Sequence, residues 1–334
     1  VDISNQSDLQ VAQWMAGQRI DIAIDIKGFA HNYRLGILAH RPCPIQVNYL
    51  GYPGSLGAPY IDYLIADPHV IAPADRPHYS EHLARLPHSY QANDPLRSVA
   101  QHCPERAQLG LPEKGPGTEG FVFACFNNSY KITPEVFAQW MAILKATPGS
   151  VLWLLEANDQ VQGHLREQAT HHGIDPTRLV FAPRVPTPEH LARHVQADLF
   201  LDTFPVNAHT TAADALWMGL PVLTRYGRSF SSRVGLSLLH ACQLPPEAET
   251  NQSPRVPLNN TLVETLAVDQ AADYLARAVA LAQQPERLQN LRIALLEDLR
   301  KGLELLGGYH EDGIRRLLQD IVACQHAVQA KQPL

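Results

Sequence analysis

The sequence predicts an α/β fold built on parallel sheets, and three observations carry that expectation. Through residues 121 to 242, short apolar runs alternate with helix-length amphipathic stretches, the pattern of βαβ units. The stretch Asp198 to Thr224, DLFLDTFPVNAHTTAADALWMGLPVLT, reads as strand, tight loop, helix and second strand. At 334 residues the chain is also long for one core, so two lobes are expected.

Taken in order, the chain opens on helical spacing from Asp8 to Ala16, then an apolar strand from Ile20 to Ile26. An α/β lobe ordinarily opens on a strand, so the first lobe is expected to be partial here, beginning upstream. A strand over Ile45 to Tyr49 runs into Gly51-Tyr52-Pro53-Gly54-Ser55-Leu56-Gly57. Glycines at that density make an ordinary turn or let backbone approach a ligand. Tyr63 to Ala66 and Leu83 to Leu86 are short strand candidates. From His88 to Gly117 periodicity is lost and Pro95, Pro104, Pro112 and Pro116 punctuate polar residues, as in a connection between lobes. The expected domains are therefore 1–117 (first lobe and linker), 118–305 (second lobe) and 306–334 (a helix packing back across the lobes).

In the second lobe, strands are expected at Phe121 to Phe126, Val151 to Leu155, Leu179 to Ala182, Leu199 to Leu201 and from Pro221. Helices are expected at Pro134 to Ala146, with Pro134 suited to its first position, then Gln160 to His172, Pro188 to Val195, His209 to Met218 and Ser231 to Cys242. Two longer helices, about Asp269 to Gln284 and Glu286 to Leu305, precede a last one at about His310 to Val328. The last carries Ile314, Leu317, Leu318, Ile321 and Val328 on one face.

Composition narrows the function. A net charge of -6 argues against a broad basic face for nucleic acid. The five cysteines are scattered with no CxxC pair, which fits a reducing compartment and neither a disulfide framework nor a zinc site. No apolar run reaches the ~18 residues of a membrane span and no leader pattern opens the chain, so a cytoplasmic protein without membrane partners is expected.

The chemistry-bearing residues gather at expected strand ends, where ligands sit in open α/β sheets. The helix after Leu201 opens on His209, Thr210 and Thr211, giving free N–H groups, hydroxyls and an imidazole at its positive end, a seat for phosphate. Asp214 follows one turn on and could accept from the vicinal hydroxyls of a ribose. The same Thr211–Asp214 spacing also resembles a capping box. After the first strand of this lobe come Asn127, Asn128, Ser129, Tyr130 and Lys131, where a lysine can neutralise a diphosphate leaving group or be a solvated loop residue. After the third come Arg184, Glu189, His190 and Arg193; His190 could stack on a base or cap its helix. Together these describe a nucleotide-diphosphate site.

No GxxxxGK[ST], strand-following GxGxxG, GxSxG or HExxH occurs. No carboxylate cluster suggests a divalent metal, so no metal or other cofactor is expected. Leaving-group charge would fall to Lys131, the helix dipole and hydroxyls.

Three long segments then make the reading specific: RPCPIQVNYLGYPGSLGAPYIDYLIAD (Arg41 to Asp67), FNNSYKITPEVFAQWMAILKATPGSVLWLL (Phe126 to Leu155) and LDTFPVNAHTTAADALWMGLPVLT (Leu201 to Thr224). In this order they resemble the catalytic region of O-linked N-acetylglucosamine transferases, family 41 glycosyltransferases, in a bacterial form. The resemblance covers nearly all of residues 20 to 245. It implies a GT-B fold of two Rossmann-like lobes with a C-terminal helical segment. The implied reaction is metal-independent, inverting transfer of N-acetylglucosamine from UDP-N-acetylglucosamine to Ser or Thr hydroxyls of a protein or peptide.

By the same resemblance Lys131 matches the lysine on the donor diphosphate, and Asn128 an amide near it, with Tyr130 between them. His209, Thr210 and Thr211 match the residues on the phosphates and Asp214 the carboxylate on the ribose. Val185, His190 and Arg193 match the uracil pocket, beside Arg184. Leu50 and Gly51, followed by Pro53, match the loop facing the sugar. The sequence departs from the animal pattern at Thr187, which replaces a lysine, and at Asn128, which replaces a glutamine. It also lacks the His-containing motif that opens the family's first lobe and the upstream tetratricopeptide repeats that present protein substrates. The general base is therefore left unassigned. The alternatives are a UDP-sugar-binding protein without turnover, a nucleotide-sugar epimerase, and a phosphorylase with Lys131 as a pyridoxal-phosphate Schiff base.

Overall fold

Strand-length apolar runs bury both faces only when helices cover the sheet on each side, and the computed structural model has that form, α/β with two all-parallel sheets. It describes residues 1–94, 96–242 and 261–296. The chain divides into two compact units. Among the described residues, 1–92 and 228–231 form the first, and 93–227 with 232–242 and 261–296 the second.

The first unit begins with α1 (Asp8–Gly17), whose Ser7 and Gln10 form a reciprocal capping box. Strands β1 (Ile22–Asp25), β2 (Ile45–Asn48), β3 (Tyr63–Ala66) and β4 (His82–Arg85) lie side by side in chain order, with the short helix α2 (Gly36–Ala39) in the first crossover. Buried Glu81 fixes the glycine-rich loop by accepting from Ser55 Oγ and the Leu56 N–H, both at 2.7 Å. In that loop Leu50 has φ 67°, a conformation that non-glycine residues rarely adopt. A Cβ on Gly51 would lie 1.9 Å from the Ile26 carbonyl oxygen. Glycine at 51 is thus explained by chain packing alone.

The second unit holds β5 (Val122–Cys125), α3 (Pro134–Ala146), β6 (Val151–Leu155), α4 (Asp159–His171), β7 (Leu179–Ala182), α5 (Thr187–Arg193), β8 (Leu199–Leu201), α6 (Thr210–Trp217), β9 (Val222–Arg225), α7 (Val234–Ala241), α8 (Thr261–Leu266), β10 (Ala267–Val268) and α9 (Ala271–Ala282). Residues 285–296 are helical as well. The sheet order is β10-β9-β8-β5-β6-β7. Counted from its own first strand this is the doubly wound order 3-2-1-4-5-6, with the reversal between β5 and β8.

Two features differ from the sequence reading. The short pair α8 and β10 falls between expected helices, and two strand residues are too few to show a period. Segment 93–117, expected to go with the first lobe, packs with the second unit, because Arg106 donates to the carbonyls of Gly120 and Gln196 at 2.6 and 2.8 Å. The expected tail helix from His310 to Val328 lies outside the described residues.

At the amino-terminal edge of the second sheet, Asp198 is 2% exposed and meets Arg106 and Lys114 at 2.8 Å each, besides accepting from the Val122 N–H. Removing a buried partner leaves the opposite charge uncompensated. Asp198→Ala is expected to cost about 3–5 kcal/mol of unfolding free energy, read by chemical denaturation.

Candidate functional site

The winding reversal leaves a crevice beyond the carboxyl ends of β5 and β8, and a cavity of about 540 Å³ opens there. That volume suits a nucleotide-sized ligand. Asn128, Tyr130, Lys131, Arg184, Val185, His190, Arg193, His209, Thr210, Thr211 and Asp214 all line it. Arg97, Phe126, Asn127, Leu155 and Thr187 complete the wall. Leu50, Gly51 and Pro53 belong to the first unit, in the loop after β2.

The loop between β8 and α6 is organised by Asp202. Its Oδ1 accepts from the N–H groups of Thr203 and Ala208 at 2.7 and 2.6 Å, and its Oδ2 from Thr224 Oγ1 at 2.7 Å. Burial pushes this carboxyl up to about 6, against those hydrogen bonds and the charge of Lys131. The chain then enters α6 with His209 as N-cap and no side-chain capping bond. Ala212 and Ala213 donate to the His209 carbonyl, which leaves the N–H groups of Thr210 and Thr211 ahead of the helix's own bonds. The capping-box alternative for Thr211 and Asp214 is not realised. Thr211 Oγ1 donates instead to Asn127 Oδ1, and Asp214 pairs with Arg97.

Lys131 closes a single turn of 3-10 helix, Ser129–Lys131, directly after β5. Its Nζ donates to the Asn207 carbonyl at 2.7 Å, on the loop leading into α6. Burial lowers its pKa, opposed by Asp202. Lysine and helix start therefore converge on one point, suited to paired phosphates.

A flatter region lies beside it. Arg193, 3% exposed, stacks over Phe126 at 4.9 Å and over Trp153 at 5.8 Å, donates to the Pro183 carbonyl at 2.6 Å, and bonds the His190 ring. His190 lies edge-on to Phe126 and does not cap α5, whose N-cap is Pro186. Burial, then the charges of Arg193 and Arg184, lower His190 to about 4. At the rim Arg184 reaches Asn128 Oδ1 at 3.4 Å, and Asn128 donates to the Tyr130 hydroxyl at 3.4 Å. Neutral imidazole, aliphatic Val185 and a guanidinium plane make a slot for a planar base.

Sequence reasoning missed Arg97 and Asp202, and named Asn127 without giving it a role. Asp202 stands directly after an expected strand end, which was the available signal. Arg97 had none, being 117 residues from its partner in a segment without periodicity. Among the described residues no group of three or more His, Cys, Asp or Glu side chains is placed to hold a metal, and no helix is long and apolar enough to cross a membrane.

Comparison with known proteins bears on this geometry. The model of glycosyl transferase family 41 matches residues 1–110 and 97–253. The chain is 36% identical over 306 residues to a probable UDP-N-acetylglucosamine–peptide N-acetylglucosaminyltransferase, SEC, of Arabidopsis thaliana, covering 90% of this chain and 28% of that protein. It is 31% identical over 306 residues to the SPINDLY protein of Solanum lycopersicum, which carries the same enzyme name, covering 90% and 30%. Among solved structures, a mutant O-GlcNAc transferase of Thermobaculum terrenum matches with a TM-score of 0.80 at 29% identity, over 98% of this chain and 58% of that one. The chain thus spans about three tenths of these two curated relatives.

Because the His190 ring is held neutral by burial and two cations, its NMR resonances are expected to keep neutral-form shifts from pH 8 down to about 5. The unfolded state would bind a proton there near pH 6.5 and the native state would not, so His190 weakens stability as pH falls through that window.

Proposed function

Because the chain belongs to glycosyl transferase family 41, we propose that its second unit binds UDP-N-acetylglucosamine and that the whole protein transfers the sugar to Ser or Thr hydroxyls of a protein or peptide. The observation that supports this most is the convergence of Lys131 and the α6 start on one point of the crevice. In this reading the uracil lies in the slot of Val185, His190 and Arg193, near Phe126. The ribose hydroxyls meet Asp214. The diphosphate lies against Thr210, Thr211, His209 and Lys131, with Asn128, Tyr130 and Arg184 at the rim.

Transfer then follows as one displacement with inversion. An acceptor oxygen attacks the anomeric carbon and passes its proton to a general base or to water, while the bond from that carbon to the β-phosphate oxygen breaks and its electron pair stays with UDP. Negative charge grows on the departing UDP, where the lysine and the helix dipole oppose it, and no metal ion takes part. Lys131 acts here as an electrostatic stabiliser. We read the chain as a bacterial, cytoplasmic member with tetratricopeptide repeats that present the acceptor; the likeness to the Thermobaculum terrenum structure bears on the first of these alone.

The test is transfer of labelled N-acetylglucosamine to a Ser/Thr peptide library by the full-length protein. Lys131→Ala is expected to lower the rate on the order of 10²-fold, with calorimetric binding that prefers UDP to ADP and GDP. Undiminished transfer by that variant, or binding without uridine preference, would refute the reading.

A further inference from the structure

Arg97 comes from the proline-punctuated segment that the sequence presents only as a connection. Beyond it, the Ala100 N–H donates to the Pro188 carbonyl at 3.0 Å, which ties the segment to the start of α5. On α6, Asp214 and Trp217 stand three residues apart and so share a face. Arg97 meets both. Its Nη1 donates to Asp214 Oδ1 while its guanidinium lies 4.8 Å from the Trp217 ring centre. The two partners of the ion pair are 15% and 10% exposed.

A purely structural arginine at such a place would spend its donors. Arg106 does so, giving its terminal nitrogens to Gly120, Gln196, Pro112 and Asp198. Arg97 does not. Its Nε and Nη2 are buried with no hydrogen-bond partner among the described residues. Unmet buried donors are costly and rare, and Arg97 is one of the residues lining the cavity. What Arg97 does accomplish is specific to Asp214. Burial drives that carboxyl toward its neutral form, and Arg97 is the charge that opposes it. Since Arg97 takes Oδ1, Oδ2 is the oxygen left to a ligand.

We propose that Arg97 is a positioning residue that holds the Asp214 carboxylate, against the flat face of Trp217, so that its second oxygen accepts from a ribose 2′-hydroxyl. The pair thereby makes the site selective for ribonucleotides over 2′-deoxyribonucleotides. This rests on the donor reading above. It adds a second residue to the sugar-recognition step and assigns a role to a stretch outside the three long motifs.

Calorimetric titration of the folded full chain with UDP and with 2′-deoxy-UDP tests it. The wild type is expected to favour UDP by about 10-fold or more, the scale of one hydrogen bond to a charged group. Arg97→Gln should bring that preference to within about 3-fold of unity by weakening UDP more than the deoxy compound. Arg97→Lys should restore part of it. In an Asp214→Asn background, Arg97→Gln should change the preference no further, since the two residues act as one unit. A preference in Arg97→Gln equal to that of the wild type would overturn this inference alone, as would equal weakening of both ligands. No UDP binding by the wild type would overturn the donor reading and this inference with it.

Discussion

One buried carboxylate governs the geometry of the crevice. Asp202 stands at the end of β8, and its four-part engagement with Thr203, Ala208, Thr224 and the charge of Lys131 turns the chain tightly into α6. Without those acceptors the N–H groups of Thr203 and Ala208 would be buried donors with nothing to meet, a cost the fold would not carry. The backbone of the same residue is held too, since its carbonyl accepts from the Tyr274 hydroxyl at 2.9 Å, which binds α9 to the site. The position of the helix start, and hence of any phosphate it would hold, is fixed from beneath by Asp202, Thr224 and Tyr274, none of which lines the cavity.

Charge explains the second property of the site. The protein carries a net charge of -6, yet the cavity wall holds Arg97, Lys131, Arg184 and Arg193 against Asp214. Lys131 and Arg193 are desolvated, and Arg97 and Arg193 are stacked on aromatic rings, so they act in a medium that weakens Coulomb forces far less than water does. An anionic ligand would take the place of the Asn207 carbonyl as the partner of Lys131.

Much of this was legible in the sequence because the signals were local. The apolar runs at Val122–Cys125 and Val151–Leu155 have strand length, Pro134 marks a helix start, and strand-to-helix turns put Lys131 and Thr210 at the same edge of a parallel sheet. What the sequence hid was long-range or short. The Arg97–Asp214 pair joins residues 117 apart, and no periodicity reports a salt bridge. Asp202 looks like any polar residue closing a strand until burial and its three donors are seen. Strand β10 has two residues, and the allegiance of segment 93–117 is decided by Arg106 reaching the carbonyls of Gly120 and Gln196. Gly51 shows the reverse case, a glycine read as a possible ligand approach that the Ile26 carbonyl already accounts for.

The central claim is that the start of α6 and Lys131 together form the diphosphate seat. A crystal structure of the protein with UDP tests it most directly. The account requires the diphosphate at the N–H groups of Thr210 and Thr211, with Lys131 Nζ turned from the Asn207 carbonyl onto a phosphate oxygen. Phosphates seated elsewhere in the crevice, with Lys131 still bonded to Asn207, would contradict it.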